Sequence, residues 1–224
     1  MKKQPYWHFC HTDKDGIPRL GFDDNREVKV GETLTVQGKP VLCEHGLHAS
    51  IDLWDALAYA HGFGWNLCRV ELSGEVVHGD EKSVASARKV IAMLDPATTD
   101  KLLRDYACWC ALQVIHLWDA PSIVRQYLET GNESLRGAAW EAASAERKKF
   151  WGESALSSWE AASAASRAAS NAVPSSAAWA AVRNAARAVA SAVASAAGRD
   201  AAKTEYAEEL ERRAIAAMGQ EITS

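Results

Sequence analysis

A tryptophan recurs three times in the second half of the chain, each time inside a run of alanine and serine: "AAWEAAS" at 138–144, "SSWEAAS" at 157–163 and "AAWAAVR" at 177–183. Alanine has the highest helix propensity but gives a helix little apolar surface to bury, so such segments are held by close packing on one another. Regularly placed tryptophans and a shortage of proline separate this pattern from low-complexity disorder. The expectation is a helical repeat in which neighbouring copies share a core.

Residues four apart lie on one face of a helix. Trp140, Ser144 and Lys148 make one such row, Trp159, Ser163 and Arg167 a second, and Trp179, Arg183 and Arg187 a third. Each copy therefore aims an indole and a cation along one stripe. Between Ala161 and Gly198 there are three arginines and no acidic residue, which predicts a locally positive field. In one role the cation stems simply cover the indoles. In the other, an indole stacks a base while arginine grips a phosphate through paired hydrogen bonds, which makes Trp159, Arg167, Trp179, Arg183 and Arg187 candidate ligand contacts.

Before Asp95 the pattern is different. "YWHFCH" alternates, with Trp7, Phe9 and His11 on one face and His8 and Cys10 on the other. "EVKVGETLTV" offers two short β-rich runs around Gly31 and Glu32, as in a tight hairpin, and "KPVLC" reads as a further strand. "SIDLWDALAYAHG" predicts a helix capped by Ser50 or Asp52, with Leu53, Ala56, Leu57 and Ala60 as its apolar stripe and Gly62 as its stop. "NLCRVELSGEVV" predicts a half-buried strand, with Leu67, Arg69 and Glu71 opposite Cys68, Val70 and Leu72. "SVASARKVIAML" fits a helix and fits a strand. Asp95 and Pro96 then form a cap and first-turn pair that opens an enclosed helix over "TTDKLLRDYACWCALQVIHLW".

Charge and cysteine usage narrow the function classes. With 25 Lys and Arg against 29 Asp and Glu, net −4, the chain lacks the basic excess of a duplex nucleic-acid binder. Five cysteines, Cys10, Cys43, Cys68, Cys108 and Cys110, form no disulfide framework, which points to reduced thiols and a cytoplasmic setting. No secretory signal is expected from "MKKQPYWHFCHTD". The longest uncharged stretch of the alanine-rich half, 168–182, contains Pro174 and falls short of the ~20 residues of a membrane-spanning helix.

"WHFCH" and "CEHGLHAS" gather cysteine and histidine, the donors of zinc sites. Their spacing matches no usual zinc pattern, and cysteine is also among the most buried residue types, so the expectation here is core packing without metal. A Cys beside a His also raises nucleophilic catalysis, for which no family-specific signature is present. His48 stands out as a candidate ligand contact.

Two resemblances follow from these motifs. "GLHAS", "DALAYA" and "LCRVEL", in that order, resemble a segment of ADP-ribosyltransferase-like domains. Matched residue by residue, that likeness implies a nucleotide pocket of His8, Ser50 and Tyr59 with Glu71 as its acid. "YWHF", "GLHAS", "DALAYA" and "CRVELSGEVVHGDEKSVAS" together resemble an uncharacterised domain frequent in bacteriophage and prophage proteins, over about residues 5–95. "DYACWCALQVIHLW" and the helical tail are similar to immunity-type helical proteins that accompany it.

The expected fold is α+β: a small mixed β-sheet domain at 1–95, then an Ala-rich α-helical bundle or short helical solenoid at 96–224. The expected function is that of a non-enzymatic phage or prophage accessory protein. It would be an anti-defence factor that binds a nucleotide-like small molecule or a host defence protein and uses no cofactor, no duplex nucleic acid and no membrane. Alanine faces that pair between chains imply a homo-oligomer. The alternative is an ADP-ribosyltransferase-like enzyme acting through the N-terminal domain.

Overall fold

The computed structural model describes residues 5–21, 24–60, 64–149, 156–170, 174–193 and 196–219. They divide into two compact units, one within 1–100 and 210–224, the other within 101–209. The architecture is α+β, with the strands in the first unit.

Among the described residues that unit holds seven antiparallel strands: β1 (Tyr6–Thr12), β2 (Pro18–Gly21), β3 (Asp24–Glu27), β4 (Thr33–Thr35), β5 (Leu47–Ala49), β6 (Trp65–His78) and β7 (Ser83–Leu94). Their order is β3-β2-β1-β6-β7-β4, and β5 also pairs with β7. One residue beyond β5, Ser50 exchanges two backbone hydrogen bonds with Trp7 of β1, at 2.7 and 2.9 Å. The circuit β1–β6–β7–β5 therefore closes, and the sheet curls around Cys10, Val28, Leu34, Leu47, Cys68, Val70 and Val90. Trp7, Phe9 and Leu67 occupy the opposite face and are buried as well.

Several local expectations change under these tertiary constraints. Residues 83–94 are strand because β7 pairs with β6, β4 and β5 along its length, which satisfies backbone groups that periodicity alone left undecided. The runs flanking Gly31 and Glu32 do not pair with each other. β3 pairs with β2 and β4 with β7, while Gly31 N–H and Glu32 C=O bond to Val90. "KPVLC" is not a strand: Val41 and His45 close a turn, and extended structure begins only at Leu47. Nor is β6 half-buried at its start, where Asn66 through Val70 are all enclosed.

Two glycines are required by this sheet. Gly74 sits at φ +75° where the β6–β7 register shifts, and a Cβ there would stand 2.2 Å from Ser86 Oγ. Gly46, at φ +121°, would place a Cβ 2.5 Å from a Val84 methyl.

The predicted first helix is short, α1 (Leu53–Leu57), with Leu53, Ala56 and Leu57 buried and Asp52 at the N-cap without a side-chain cap bond. Its proposed stop, Gly62, lies outside the described residues. α2 (Pro96–Gln113) starts as its sequence predicts, with Asp95 accepting from the Thr98 N–H at 3.0 Å.

The second unit continues through α3 (Ser122–Thr130), α4 (Arg136–Lys149), α5 (Leu156–Ala168), α6 (Pro174–Val193) and α7 (Ala196–Ala217), whose last turns belong to the first unit. α3 ends at Gly131, whose φ of +62° gives the left-handed C-cap. Each copy of the tryptophan repeat forms its own helix, α4, α5 and α6 in turn, and α5 packs on both neighbours. Ala161, Ala162, Ala164, Ala165 and Ala168 of α5 and Ala177, Ala178, Ala181, Ala185 and Ala188 of α6 are buried, so small side chains let the helices approach closely. A hydroxyl pair, Ser144 to Ser166 at 2.8 Å, joins α4 to α5. Among the described residues no helix is long and apolar enough to cross a membrane.

Candidate functional site

A cavity of about 790 Å³ opens in the first unit. β1 contributes Trp7, His8, Phe9 and His11, the hairpin that follows contributes Asp13, Lys14 and Arg19, and β6 contributes Trp65. The opposite side is built by Cys43 and the His48–Ser50 segment, by Ala56 and Tyr59, and by Lys82 from the β6–β7 turn. Strand alternation accounts for the aromatic wall: Trp7, Phe9 and His11 share a face, and His11 meets its cross-strand partner Trp65 edge-on at 5.7 Å.

The "CEHGLHAS" loop is held from within. Cys43 adopts φ +66°, the one described non-glycine residue in the left-handed region, and its N–H donates to His48 Nε2 at 3.1 Å. That bond makes Nε2 an acceptor and places the His48 ring proton on Nδ1. Burial, then the charges of Lys82 and Arg88, hold the His48 imidazole below its usual range. His8 is held well below that range, first by burial and then by Arg88 and His48. Both rings are therefore neutral near pH 7, so they act as hydrogen-bonding groups and not as cations.

The cations at the cavity are Lys14, Lys82 and Arg19. Arg19 is committed, with Nε on Asp13 at 2.7 Å, where Asp13 also caps the β1–β2 turn through the N–H groups of Asp15 and Ile17. Lys82 Nζ lies 4.4 Å above the Tyr59 ring, a cation-π contact of about 0.5–1 kcal/mol at an exposed site. Trp7 is fixed from behind: Arg69 stacks at 4.0 Å from its ring, and Glu211 of α7 accepts from Trp7 Nε1 and from Arg69 Nη1, both at 3.2 Å.

The structure brings four of the sequence-predicted residues, His8, His48, Ser50 and Tyr59, to this one cavity. Ser50 is spent on the wall, since its backbone closes the sheet and the residue is 2% exposed. Glu71 stands opposite Lys89 of β7 and is not part of the lining. The other five candidates belong to the second unit: Trp159 is half-buried and Arg167 exposed on α5, Arg183 is half-buried and Arg187 exposed on α6, and the Trp179 side chain lies outside the described residues. Their positive field is partly answered by Glu160, which is 9% exposed. Burial raises the Glu160 carboxyl, while Arg187 and Arg183 oppose that shift.

The sequence reading passed over Trp65, Lys82 and the fully buried Arg88. A signal existed for Trp65 in the aromatic face of β1, whose antiparallel partner had to present a matching surface. Lys82 and Arg88 carried none, because their positions depend on β7 being a strand.

A domain of unknown function, DUF7666, is the family whose model matches this chain, over residues 21–101, from the end of β2 into α2. The first unit thus contains an uncharacterised domain. Comparison with curated proteins and with solved structures gave no match.

Proposed function

We propose that the chain is a non-enzymatic binding protein whose first unit takes up a nucleotide-like small molecule. The observation that supports this reading is the cavity itself. Its volume suits a mononucleotide-sized ligand, its walls offer Trp65 and Tyr59 for stacking, and Lys14, Lys82 and two neutral imidazoles supply polar contacts. Glu71 lies away from that lining, so the cavity argues for capture without transfer. The proposed setting is an accessory protein of a phage or prophage in the bacterial cytoplasm, acting against host defence by sequestering a nucleotide signal, with alanine-lined helical faces pairing copies into a homo-oligomer.

Native mass spectrometry of the full chain purified from bacterial cells, before and after denaturation, tests this directly. A retained mass of a few hundred daltons that is lost on denaturation is expected. Adenosine monophosphate should also quench the tryptophan emission, and Tyr59→Ala and Lys82→Ala should each weaken it about tenfold, or ~1.4 kcal/mol. A clean apo mass with no quenching removes the small-molecule reading and leaves a host defence protein as the partner to seek.

A further inference from the structure

Three neighbouring strands of the curled sheet turn a group of soft donors to one face. His8 of β1 stands opposite Cys68 of β6, and Cys68 opposite Met93 of β7. Cys10, two residues on from His8, shares that face. The Sγ atoms of Cys10 and Cys68 are 3.5 Å apart, and Met93 Sδ lies 4.0 Å from Cys10 Sγ. Both thiols are buried and Met93 is half-buried, so the thioether edge of the cluster reaches towards the surface.

Arg88 is enclosed beside this cluster at 1% exposure. Its Nη1 donates to the His48 carbonyl at 2.6 Å, while Nε and Nη2 have no hydrogen-bond partner among the described residues. Burial pulls the Arg88 guanidinium down to about 10, a shift that the sulfurs of Cys68 and Cys10, as thiolates, would oppose. A guanidinium shut away from water without a counter-charge is costly, and two protonated thiols supply none.

We propose that Cys10, Cys68 and Met93 form a Cu(I) site whose charge Arg88 offsets. Binding releases two protons, two thiols and Cu⁺ giving a bis-thiolate centre of charge −1, and that centre with Arg88 is neutral overall. Thiolate and thioether donors select Cu(I), whereas structural zinc needs four ligands, and among the described residues no three His, Cys, Asp or Glu side chains gather for it. The site is independent of whether the cavity holds a nucleotide.

The test uses the full chain carrying Cys43→Ser, which removes the exposed thiol, reduced and anaerobic, titrated against the Cu(I)–bicinchoninate complex. Transfer of about one equivalent is expected, lost in Cys10→Ser and in Cys68→Ser, with affinity about tenfold lower in Met93→Leu. Met93→Leu conserves volume, so circular dichroism matching the parent keeps that arm readable if a serine variant fails to fold. X-ray absorption at the copper edge of the parent should show a sulfur-only shell. No transfer to the folded parent, full loading of Cys10→Ser, or a nitrogen and oxygen shell overturns the site.

Discussion

The two units bury their interiors by opposite means. In the first, strands distant in sequence meet around large side chains, with Trp7 and Leu67 at 0% exposure. The second is built between α5 and α6 mainly from alanine, with Glu160, Ser163, Ser166 and Asn184 buried among it. A large-residue core draws its stability from the apolar area it removes from water. An alanine interface closes to helix-on-helix contact, where stability comes from fit more than from area.

The comparison predicts opposite sensitivities. Leu67→Ala removes a fully buried branched side chain and should destabilise the protein by about 2–5 kcal/mol, read by urea unfolding. Next in size, Ala181→Leu inserts volume where α6 has none to spare and should cost about 1–3 kcal/mol. If Ala181→Leu proved neutral, the alanine interface would be loose, and the contrast between the units would fail.

A smaller effect sharpens the comparison inside the first unit. Glu211 accepts from both Trp7 Nε1 and Arg69 Nη1, and Arg69 is largely enclosed while Glu211 is partly open to solvent. Glu211→Ala strands both donors and should cost about 1–2 kcal/mol. It should also loosen the Trp7 wall, visible as a red-shifted tryptophan emission. An unchanged spectrum with unchanged stability would show that α7 contributes nothing to holding the cavity.

How much of this was legible depends on how local the deciding interactions are. The tryptophan repeat announced three helices because helix formation and its four-residue rows are properties of contiguous sequence. The faces of β1 and β6 were readable for the same reason. Residues 83–94 were not, since small and β-branched residues fit both periods and only pairing with three other strands decides. The hairpin expected at Gly31 failed because each flanking run found a better-placed partner elsewhere in the sheet. For the cavity, His8, His48, Ser50 and Tyr59 were singled out by residue type and motif order, yet what joins them is the backbone closure between Ser50 and Trp7, which no spacing encodes. Arg88 was invisible for a related reason: nothing in "SARKV" says which cation turns inward.

The smallest predicted effect concerns Asp55 on α1, one turn from Tyr59. Its carboxyl is pushed up to about 6, first by burial and then by the negative charges of Asp52 and Glu81. With the unfolded value near 3.9, the folded state binds the extra proton between the two values. Stability contributed by Asp55 is therefore fully present below about pH 4 and is lost as pH rises through about 6. Because the side chain is largely solvent-screened, the swing should stay within about 1 kcal/mol. Asp55→Asn should match the parent near pH 4 and be the more stable of the two at pH 7, measured as the difference in urea midpoints. A midpoint difference that does not change with pH would mean that the α1 end of the first unit is as well hydrated as an open helix surface.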